Sequence, residues 1–490
     1  MKQTYSLLIM LLVALSVNSQ TIAGKLLNKS NEPIAYATLQ IGPSYGVITN
    51  EEGNFILKTK RFSPTDIVLI SCLGYEPLTV VLSNFDSKTY YLNEAKNTLS
   101  EVYLTNKQLT TNEILDSIRE NLSKNYSQLG TKKVFLRKTN TFKLHDMDFD
   151  IARSSNLSKS KIKSFNNTFD ELKNQVINKD SKFYEETLFD YSKKKDTSFV
   201  SVIKATKLIN KIKDISTEAV NGKMIENSLR LLDSTATYKL KTGMFTLEDS
   251  LKVGGFENKK ANPETGKNKT LTSQIEQIIQ ANYPSENSKL EFLFEQDKYD
   301  YNVDDISYIG DVAAYKVSFQ PRKRSAKYVG NMYVNTSDFA IMRLDYGFAE
   351  DRTGKKLNLK LLLGVKFVEN VYKSNVIFVK NENNRYDLQF VNSETGNYIY
   401  LNRSLKFIRN KIDESEDKQF LKIKLMLEQD YRDKTELFFI NHQPVSSSEK
   451  SNSAQSEYPI DYISKYDVSL WKDYNILSPV QDILDYETEE

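Results

Sequence analysis

Short apolar segments alternate with polar turns through residues 21–105, at a spacing of about ten residues. Turn-forming residues separate these segments at Asn31–Pro33, Gly42-Pro43, Asn50–Gly53 and Ser63-Pro64. This spacing is typical of β-sandwiches, in which short strands follow one another through tight turns. The pattern therefore predicts a compact all-β unit in this part of the chain.

The polar run Asn50–Gly53 lies between two predicted strands, Val47–Thr49 and Asn54–Leu57. Its carboxylates, Glu51 and Glu52, make a cation site the alternative to a simple turn. A calcium ion prefers about six to eight oxygen ligands, and two carboxylates supply too few. The glycine at the end of the run accepts the positive φ that a type I turn with a bulge requires. We therefore predict a turn.

A helix with a clear start follows this unit. Thr110 and Glu113 have the spacing of a capping box. The apolar stripe after them predicts a helix that packs at a domain junction, and its members are Ile114, Leu115, Ile118 and Leu122. Val134–Leu144 is the next predicted strand.

Residues 150–270 are rich in lysine and have the least regular pattern. Amphipathic helices are predicted at Phe165–Ile177 and Met224–Leu232, and a polar loop at Glu257–Thr270. Acids such as Asp170 and Glu171 interleave with the lysines, which favours a solvated face. Contact of this region with anionic lipid or polysaccharide is the alternative.

Strand-like alternation dominates residues 288–440. We expect one face of these antiparallel strands to be buried and the other wet, with a turn at Asn335–Asp338. The predicted buried positions are Ala313, Tyr315, Val317 and Phe319, then Met342, Leu344, Tyr346 and Phe348. The pattern resembles the large curved sheets of periplasmic lipoprotein-carrier folds, and no ligand residue is carried over from them.

A serine-rich run, Ser446–Glu457, has the composition of a flexible linker. The tail after it contains Trp471, the single tryptophan of the chain. We predict that Trp471 anchors the tail on the main body, and a binding hot spot is the alternative.

Composition excludes some classes of protein. The chain has 490 residues, of which 39% are hydrophobic, so a disordered chain is excluded. Its 29 tyrosines and 25 phenylalanines favour strands. A formal net charge of +3 gives no concentrated basic face, so no nucleic-acid partner is expected.

The first 20 residues have the order of a secretory signal peptide. Lys2 precedes the apolar segment Leu7–Val17, and small residues follow near Ser19. A buried N-terminal helix is the alternative. The single cysteine, Cys72, lies in an apolar run and excludes an internal disulfide framework. We predict that Cys72 is a small buried residue, with a reactive thiol as the alternative.

Several short motifs in the first unit follow a recognisable order. They are Gly24-Lys25, Glu32–Leu39, Thr49–Phe55, Ile70-Ser71, Gly74–Glu76 and Leu99–Val102. Together they resemble the carboxypeptidase-regulatory-like domain of Bacteroidetes envelope proteins, which also forms the N-terminal extension of many TonB-dependent receptors. The resemblance implies a seven-stranded, transthyretin-like sandwich that has no catalytic residues of its own.

No motif for catalysis stands out. The two histidines, His145 and His442, lie outside any His-x-x-Glu or His-Glu-x-x-His motif, which disfavours a zinc peptidase site. The paired acids Asp304-Asp305 and the alternating acids of 146–150 could host acid/base chemistry or a cation. Chance clustering is the simpler explanation. We therefore predict no catalytic, cofactor-binding or metal-binding residue, and no cofactor.

The predicted fold is mainly β with an α+β insertion. A seven-stranded transthyretin/Ig-like sandwich precedes a large antiparallel-sheet domain with helices. The predicted parts are a signal peptide at 1–20, the sandwich at 21–105, a helical junction and lysine-rich mixed region at 106–287, the sheet domain at 288–440, a linker at 441–458 and a tail at 459–490.

These features predict a non-catalytic exported protein that acts as an interaction or scaffold component at the outer membrane, or in the periplasm. Its expected partners are other envelope proteins, with peripheral membrane association. The first alternative is a carrier or sensor that binds a lipid or glycan in the curved sheet of 288–440. The second alternative is an unrecognised hydrolase.

Overall fold

The computed structural model describes most of the chain after residue 20. The described residues are 21–42, 45–95, 109–127, 130–177, 180–194, 197–208, 227–252, 265–285, 290–309, 312–411, 413, 415, 417–440, 457–472 and 474–486. The predicted signal peptide, His442 and nearly all of the predicted linker lie outside them. The fold is mainly β, with an N-terminal sandwich, a large sheet and several helices, as the sequence predicted.

The N-terminal unit consists of seven strands in two sheets, with the order β4-β1-β7 in one and β3-β2-β5-β6 in the other. Phe55, Phe85 and Tyr90 stack with one another in the core between the sheets. The strands are β1 (Thr21–Asn28), β2 (Thr38–Ile41), β3 (Tyr45–Ile48), β4 (Asn54–Lys58), β5 (Ile67–Ser71), β6 (Leu78–Val81) and β7 (Thr89–Leu92).

The predicted turn at Asn50–Gly53 is present, but it does not join two paired strands. β3 pairs with β2, whereas β4 pairs with β1 in the other sheet, so the turn crosses between the sheets. Gly53 has a φ of 77°. A Cβ atom at Gly53 would lie 2.4 Å from the carbonyl oxygen of Leu26, so any other residue would be strained and crowded.

A single sheet of 14 strands forms the rest of the body, with β14-β15-β16-β17-β19-β20-β21-β8-β9-β10-β23 as its main path. The β11–β12 hairpin joins it through β20, and β18 joins it through β19. Strands from before and after the predicted boundary at 287/288 therefore belong to one continuous sheet. Its first strands are β8 (Lys132–Ser154), β9 (Asp180–Lys194), β10 (Thr197–Leu208), β11 (Thr237–Thr242) and β12 (Phe245–Lys252).

The remaining strands of this sheet come from the second half of the chain. Except for the parallel pair β10–β23, its strands pair antiparallel. These strands are β14 (Tyr299–Ile309), β15 (Val312–Pro321), β16 (Tyr328–Asn335), β17 (Ile341–Phe348), β18 (Lys356–Leu359), β19 (Val365–Lys380), β20 (Tyr386–Arg409), β21 (Phe420–Ile440) and β23 (Asp461–Ile463). A separate two-stranded pair joins β13 (Thr265–Lys267) and β22 (Glu457–Pro459).

The alternation predicted for two of these strands is present in β17, where Met342, Leu344 and Tyr346 are buried. In β15 the prediction is wrong at Ala313, because Ala314 is the buried alanine. Val317 and Phe319 are buried in the main core, as predicted, whereas Tyr315 is only half-buried and stacks on Phe339. The predicted turn at Asn335–Asp338 joins β16 to β17.

The longest strands, β8, β20 and β21, have 23, 24 and 21 residues and run through two differently covered regions. We call residues 132–143, 386–396 and 430–440 the proximal half, and the rest of these three strands the distal half. In the proximal half both faces are buried. Leu136 packs in the core with the helices, whereas Phe135 packs towards the sandwich and tail.

Six helices that lie wholly in the described residues pack on or beside the sheet. The capping box predicted at Thr110 and Glu113 is present, and its helix buries the predicted apolar stripe. The helices are α1 (Thr111–Asn125), α2 (Lys159–Val176), α3 (Asn268–Asn282), α4 (Glu291–Phe294), α5 (Lys360–Leu363) and α6 (Gln481–Leu484), with 3-10 turns at Leu82–Asn84, Gln296–Lys298 and Val468–Trp471.

Three predictions for the middle region need correction. The helix predicted from Phe165 begins at Lys159, because Ser158 caps it by accepting from the Lys161 amide. Of the helix predicted at Met224–Leu232, residues 224–226 lie outside the described residues, 227–229 are helical, and 230–232 are turn or bend residues. The loop predicted to end at Thr270 instead contains β13 and the start of α3.

No helix in the described ranges has both the length and the apolar character that a membrane crossing requires.

Candidate functional site

The sandwich, the proximal half of the sheet and the C-terminal tail meet at a buried polar junction. We call this the junction site and define it by Asn50, Glu52, Arg137, Glu186 and tail residues 474–484. Apolar residues from all three parts surround it. They include Tyr36 and Ile48 of the sandwich, Phe135, Phe390 and Phe438 of the sheet, and Trp471, Ile476, Leu477, Val480 and Ile483 of the tail.

Asn50 both shapes its own turn and binds the tail. Its Oδ1 accepts hydrogen bonds from the backbone amides of Glu52 and Asn54, at 3.0 and 2.9 Å. Its Nδ2 donates to the carbonyl oxygen of Pro479 at 2.9 Å, and to that of Ser478 at 3.4 Å. The side chain is fully buried. The predicted turn is therefore also a binding point for the tail.

The two carboxylates of the turn bind different parts of the protein. Glu52 accepts hydrogen bonds from the backbone amide of Gln481, at 3.0 and 2.9 Å, at the first residue of α6. Glu51 lies 2.6 Å from the Nζ of Lys434 on β21. The pair thus joins the sandwich to both the tail and the sheet.

Arg137 is the most buried charge of the junction site, with no exposed surface. Its Nε donates to Glu186 at 2.8 Å, and its Nη1 and Nη2 donate to the carbonyl oxygens of Ser478 and Leu477 at 3.0 and 2.9 Å. Burial alone would lower the pKa of Arg137, but the nearby carboxylates of Glu186 and Glu436 outweigh it and raise the pKa. The guanidinium is therefore a permanent charge that holds the tail on the sheet.

Trp471 confirms the prediction of an anchor. It is buried, and its ring lies edge-on to Phe135 with 5.4 Å between centroids. Lys58 of the sandwich donates to the backbone oxygens of Trp471 and Tyr474, and Lys204 donates to that of Leu470 at 2.8 Å. Lysines from two parts of the protein thus hold the residues around the indole.

Replacing Asn50 with alanine should lower the free energy of unfolding by about 1–3 kcal/mol, because two buried carbonyls and the turn lose their partner. Asn50→Asp keeps the Oδ acceptor of the turn but loses the amide donor, so it separates the tail contact from the turn. Urea unfolding followed by Trp471 emission measures both. Asn84→Ala, on an exposed turn, is the control. A transition unchanged in both Asn50 variants would contradict the assigned contacts.

Asp482 ties α6 to β9. It accepts hydrogen bonds from Tyr184 Oη at 2.5 Å and Lys182 Nζ at 2.9 Å. Burial raises the pKa of Asp482, but these two hydrogen bonds outweigh it, and the net pKa lies below its usual value. A lowered folded-state pKa means that the stabilisation is present above the unfolded pKa of about 4 and is lost as the pH falls through the folded value.

The difference in thermal unfolding midpoint between the wild type and Asp482→Asn should therefore be largest near neutral pH and vanish in acid. A pH series of unfolding curves measures this difference. Asp461→Asn, an exposed carboxylate of the same tail, controls for the loss of one negative charge. A difference that stays constant as the pH falls through the acid range would exclude the carboxylate form as the stabilising species.

A polar cleft of 290 Å³ lies on the other face of the sheet, between β8, β9, α3 and β22. Lys138, Glu185, Lys267 and Gln274 are among its lining residues. Lys138 Nζ donates to Gln274 at 2.6 Å, and Glu185 pairs with Lys207 at 2.9 Å. The cleft has the size and polarity for water or a small polar molecule, and a lipid chain would find little apolar lining.

The alternating acids of β8 meet a cation supplied by the chain itself. Lys173 Nζ lies 3.1 Å from Asp146 and 2.8 Å from Asp148, and the hydrogen bond to Asp148 contributes most to raising the pKa of Lys173. Burial raises the pKa of the third acid, Asp150. Within the described ranges, no three His, Cys, Asp or Glu side chains form a group that could hold a metal.

The remaining candidates are also engaged in protein contacts. His145 Nε2 lies 2.7 Å from Asp430, and Asp304 lies 3.6 Å from Lys316. Cys72 is buried, as predicted, and burial raises the pKa of its thiol, which disfavours the reactive thiolate. His145 and Asp304 therefore pair with different residues, and the candidates His145, Asp304 and Cys72 do not form one site.

Sequence reasoning missed Arg137, Glu186 and the tail contact of Asn50. One signal was available for Arg137, because it follows the apolar run Val134–Leu136 without a break. An arginine in such a run predicts a buried, paired charge.

The strand order of residues 21–92 defines the first part of the protein as a seven-stranded Ig-like sandwich. More specifically, residues 22–104 match the family model of the CarboxypepD_reg-like domain, so this part of the chain is a domain of that family. The match confirms the domain family that the motifs indicated. Comparison of the chain with curated proteins and with solved structures gave no match.

Proposed function

We propose that the protein is a non-catalytic, exported envelope protein that acts as an interaction or scaffold component at the outer membrane. Two sequence features support export and an envelope location. The first 20 residues have the order of a signal peptide, and the CarboxypepD_reg-like domain resembles modules of envelope proteins.

The observation that carries the scaffold role is the fixed attachment of the sandwich to the large sheet. The tail binds the sandwich through Asn50 and Glu52, and it binds the sheet through Arg137. Buried hydrogen-bonded charges specify one arrangement, because any other would leave them unpaired. Two surfaces held at a fixed orientation suit a protein that positions partners relative to each other.

The side-chain packing of the sheet supports a scaffold rather than a carrier. A carrier requires a large apolar cavity in 288–440. The apolar side chains of this segment, such as Val317, Leu344 and Phe378, instead pack in one core with α1 and α3. The cleft beside α3 is polar and is formed largely by other parts of the chain. The hydrolase alternative lacks a supporting observation, since the candidate acids named above pair with protein cations.

Native mass spectrometry with lipid extraction, on the chain purified from its own envelope fraction, tests this proposal. We expect a complex of fixed stoichiometry with an envelope protein. Asn50→Asp should retain less of that partner, because one of the buried contacts that fix the sandwich on the tail is lost, while Asn84→Ala retains it fully. A chain found in the cytoplasm would overturn the proposal. A chain that carries one equivalent of lipid or glycan and no protein would establish the carrier instead.

A further inference from the structure

Two hairpin ends beside the distal half of β20 expose large apolar side chains. The helix α5, between β18 and β19, exposes Leu361 completely and Leu362 by 82%. The end of the β11–β12 hairpin exposes Met244 by 91% and Phe245 by 56%. We call these four residues the tip surface. Single exposed apolar residues are common on proteins, but four at two adjacent hairpin ends form a patch that needs an explanation.

The two hairpin ends are neighbours because they share one edge of β20. β19 pairs with β20 as far as Leu401, and the Asn402 amide donates to the carbonyl oxygen of Gly364 at 2.7 Å. β11 pairs with the same edge from Leu405 onwards and runs towards Leu401. The hairpins therefore approach each other end to end, separated along β20 by about 10 Å, the length of three residues.

Basic residues flank the tip surface on the side of α5 and β20. The segment 355–366, which forms β18, α5 and the start of β19, contains four lysines and no acid: Lys355, Lys356, Lys360 and Lys366. Lys360 and Lys366 extend over the rings of Tyr400 and Tyr398, at 3.9 and 4.8 Å from their centroids. Arg403 lies on β20 between the two hairpin ends. Exposed leucine, methionine and phenylalanine beside a cluster of positive charge complement a bilayer surface with anionic headgroups.

We propose that the tip surface inserts into the interface of a bilayer that contains anionic lipid. The apolar side chains leave water for the acyl boundary, and the lysines and Arg403 remain at headgroup level, where their stems can extend along the apolar region. This inference rests on the proposed location at an envelope membrane and adds the surface by which the protein contacts it.

Vesicle co-sedimentation tests the inference. The chain from residue 21 onwards is suitable, because it contains every described residue and lacks the apolar segment of the first 20. We expect binding to vesicles of phosphatidylcholine and phosphatidylglycerol at three to one, and weaker binding to phosphatidylcholine alone. The paired changes Leu361→Ser/Leu362→Ser and Met244→Ser/Phe245→Ser should each weaken binding about tenfold or more. Lys356→Gln/Lys360→Gln should weaken only the binding that depends on anionic lipid.

Ile67→Ser is the matched control, because Ile67 is an exposed apolar residue on the sandwich, away from the tip surface. It should bind as the wild type does, and thermal unfolding curves confirm that all variants fold. Wild type that binds neither vesicle, or tip variants that bind equally well, would overturn the inference.

Loss of a stoichiometric protein partner in the tip variants, with no vesicle binding by the wild type, would assign the tip surface to a protein interface. That result would overturn the lipid inference and leave the scaffold proposal standing. If the chain binds vesicles but has no protein partner in its envelope, the lipid inference would stand and the scaffold proposal would be overturned.

Discussion

Replacing Arg137 with methionine should lower the free energy of unfolding by about 3–5 kcal/mol, the range for removing one partner of a buried ion pair. Arg137 has no exposed surface, and its guanidinium lies 2.7 Å from Glu186 and 3.8 Å from Glu436. Without it, two carboxylates remain buried without their cation, and the carbonyls of Leu477 and Ser478 lose their donor. Unfolding in urea, followed by Trp471 emission and by circular dichroism, measures the effect.

The controls for this variant separate the loss of charge from the loss of a large side chain. Arg153→Met changes an exposed arginine on the same strand and should alter stability by less than about 0.5 kcal/mol. The triple change Arg137→Met/Glu186→Gln/Glu436→Gln removes the stranded charges and should recover part of the lost stability. If Arg137→Met unfolds at the wild-type urea concentration, the carboxylates around it cannot be buried as charges.

Replacing Trp471 with alanine should cost about 3–5 kcal/mol, the range for a buried tryptophan, and should release the tail from the body. The indole packs on Phe135 and lies in one apolar cluster with Ile48 of the sandwich and Leu477 of the tail. The cavity left by alanine would therefore open towards all three parts of the protein. Hydrogen exchange of peptides covering 474–486 should rise well above the wild-type rate.

Trp471→Phe keeps an aromatic ring against Phe135 and should give a smaller increase in exchange. The amides of α1, which packs on the opposite face of the sheet, serve as an internal reference and should keep their protection in both variants. Tail amides that stay as protected in Trp471→Ala as in the wild type would show that the polar contacts of Asn50 and Arg137 suffice to hold the tail.

Local features of the fold were predictable because they depend on nearby residues. The capping box at Thr110 and the turn that ends at Gly53 each follow from residues within four positions of each other. The burial of Trp471 followed from its size and its isolation in a polar tail. The helix α3 was missed, although Leu271, Ile275 and Ile279 recur every four residues. The polar residues before α3 indicated a loop, so the predicted loop extended to Thr270, past the first residues of the helix.

The junction site could not be predicted in the same way. Asn50 binds Pro479 across 429 positions of sequence, and Arg137 binds Ser478 across 341. Local patterns show that Asn50 suits a turn and that Arg137 requires a partner, but they do not name that partner. The apparent cation site on β8 has the same explanation, because the cation is Lys173, which reaches the strand only after α2 folds back on it.

The pairing of the sandwich with the tail also determines the order in which folding can finish. Tyr45 meets Asn475, and Glu52 meets the Gln481 amide, so these contacts join residues that leave the ribosome 430 and 429 positions apart. Contacts this distant in sequence form slowly, because the ends of a long chain must first find each other. Synthesis and any passage through a membrane start at the first residue. The sandwich and the sheet are therefore made before the tail is available to bind them. Until the tail is present, its carbonyl groups cannot bind Arg137, so the junction site cannot form before the end of the chain is made.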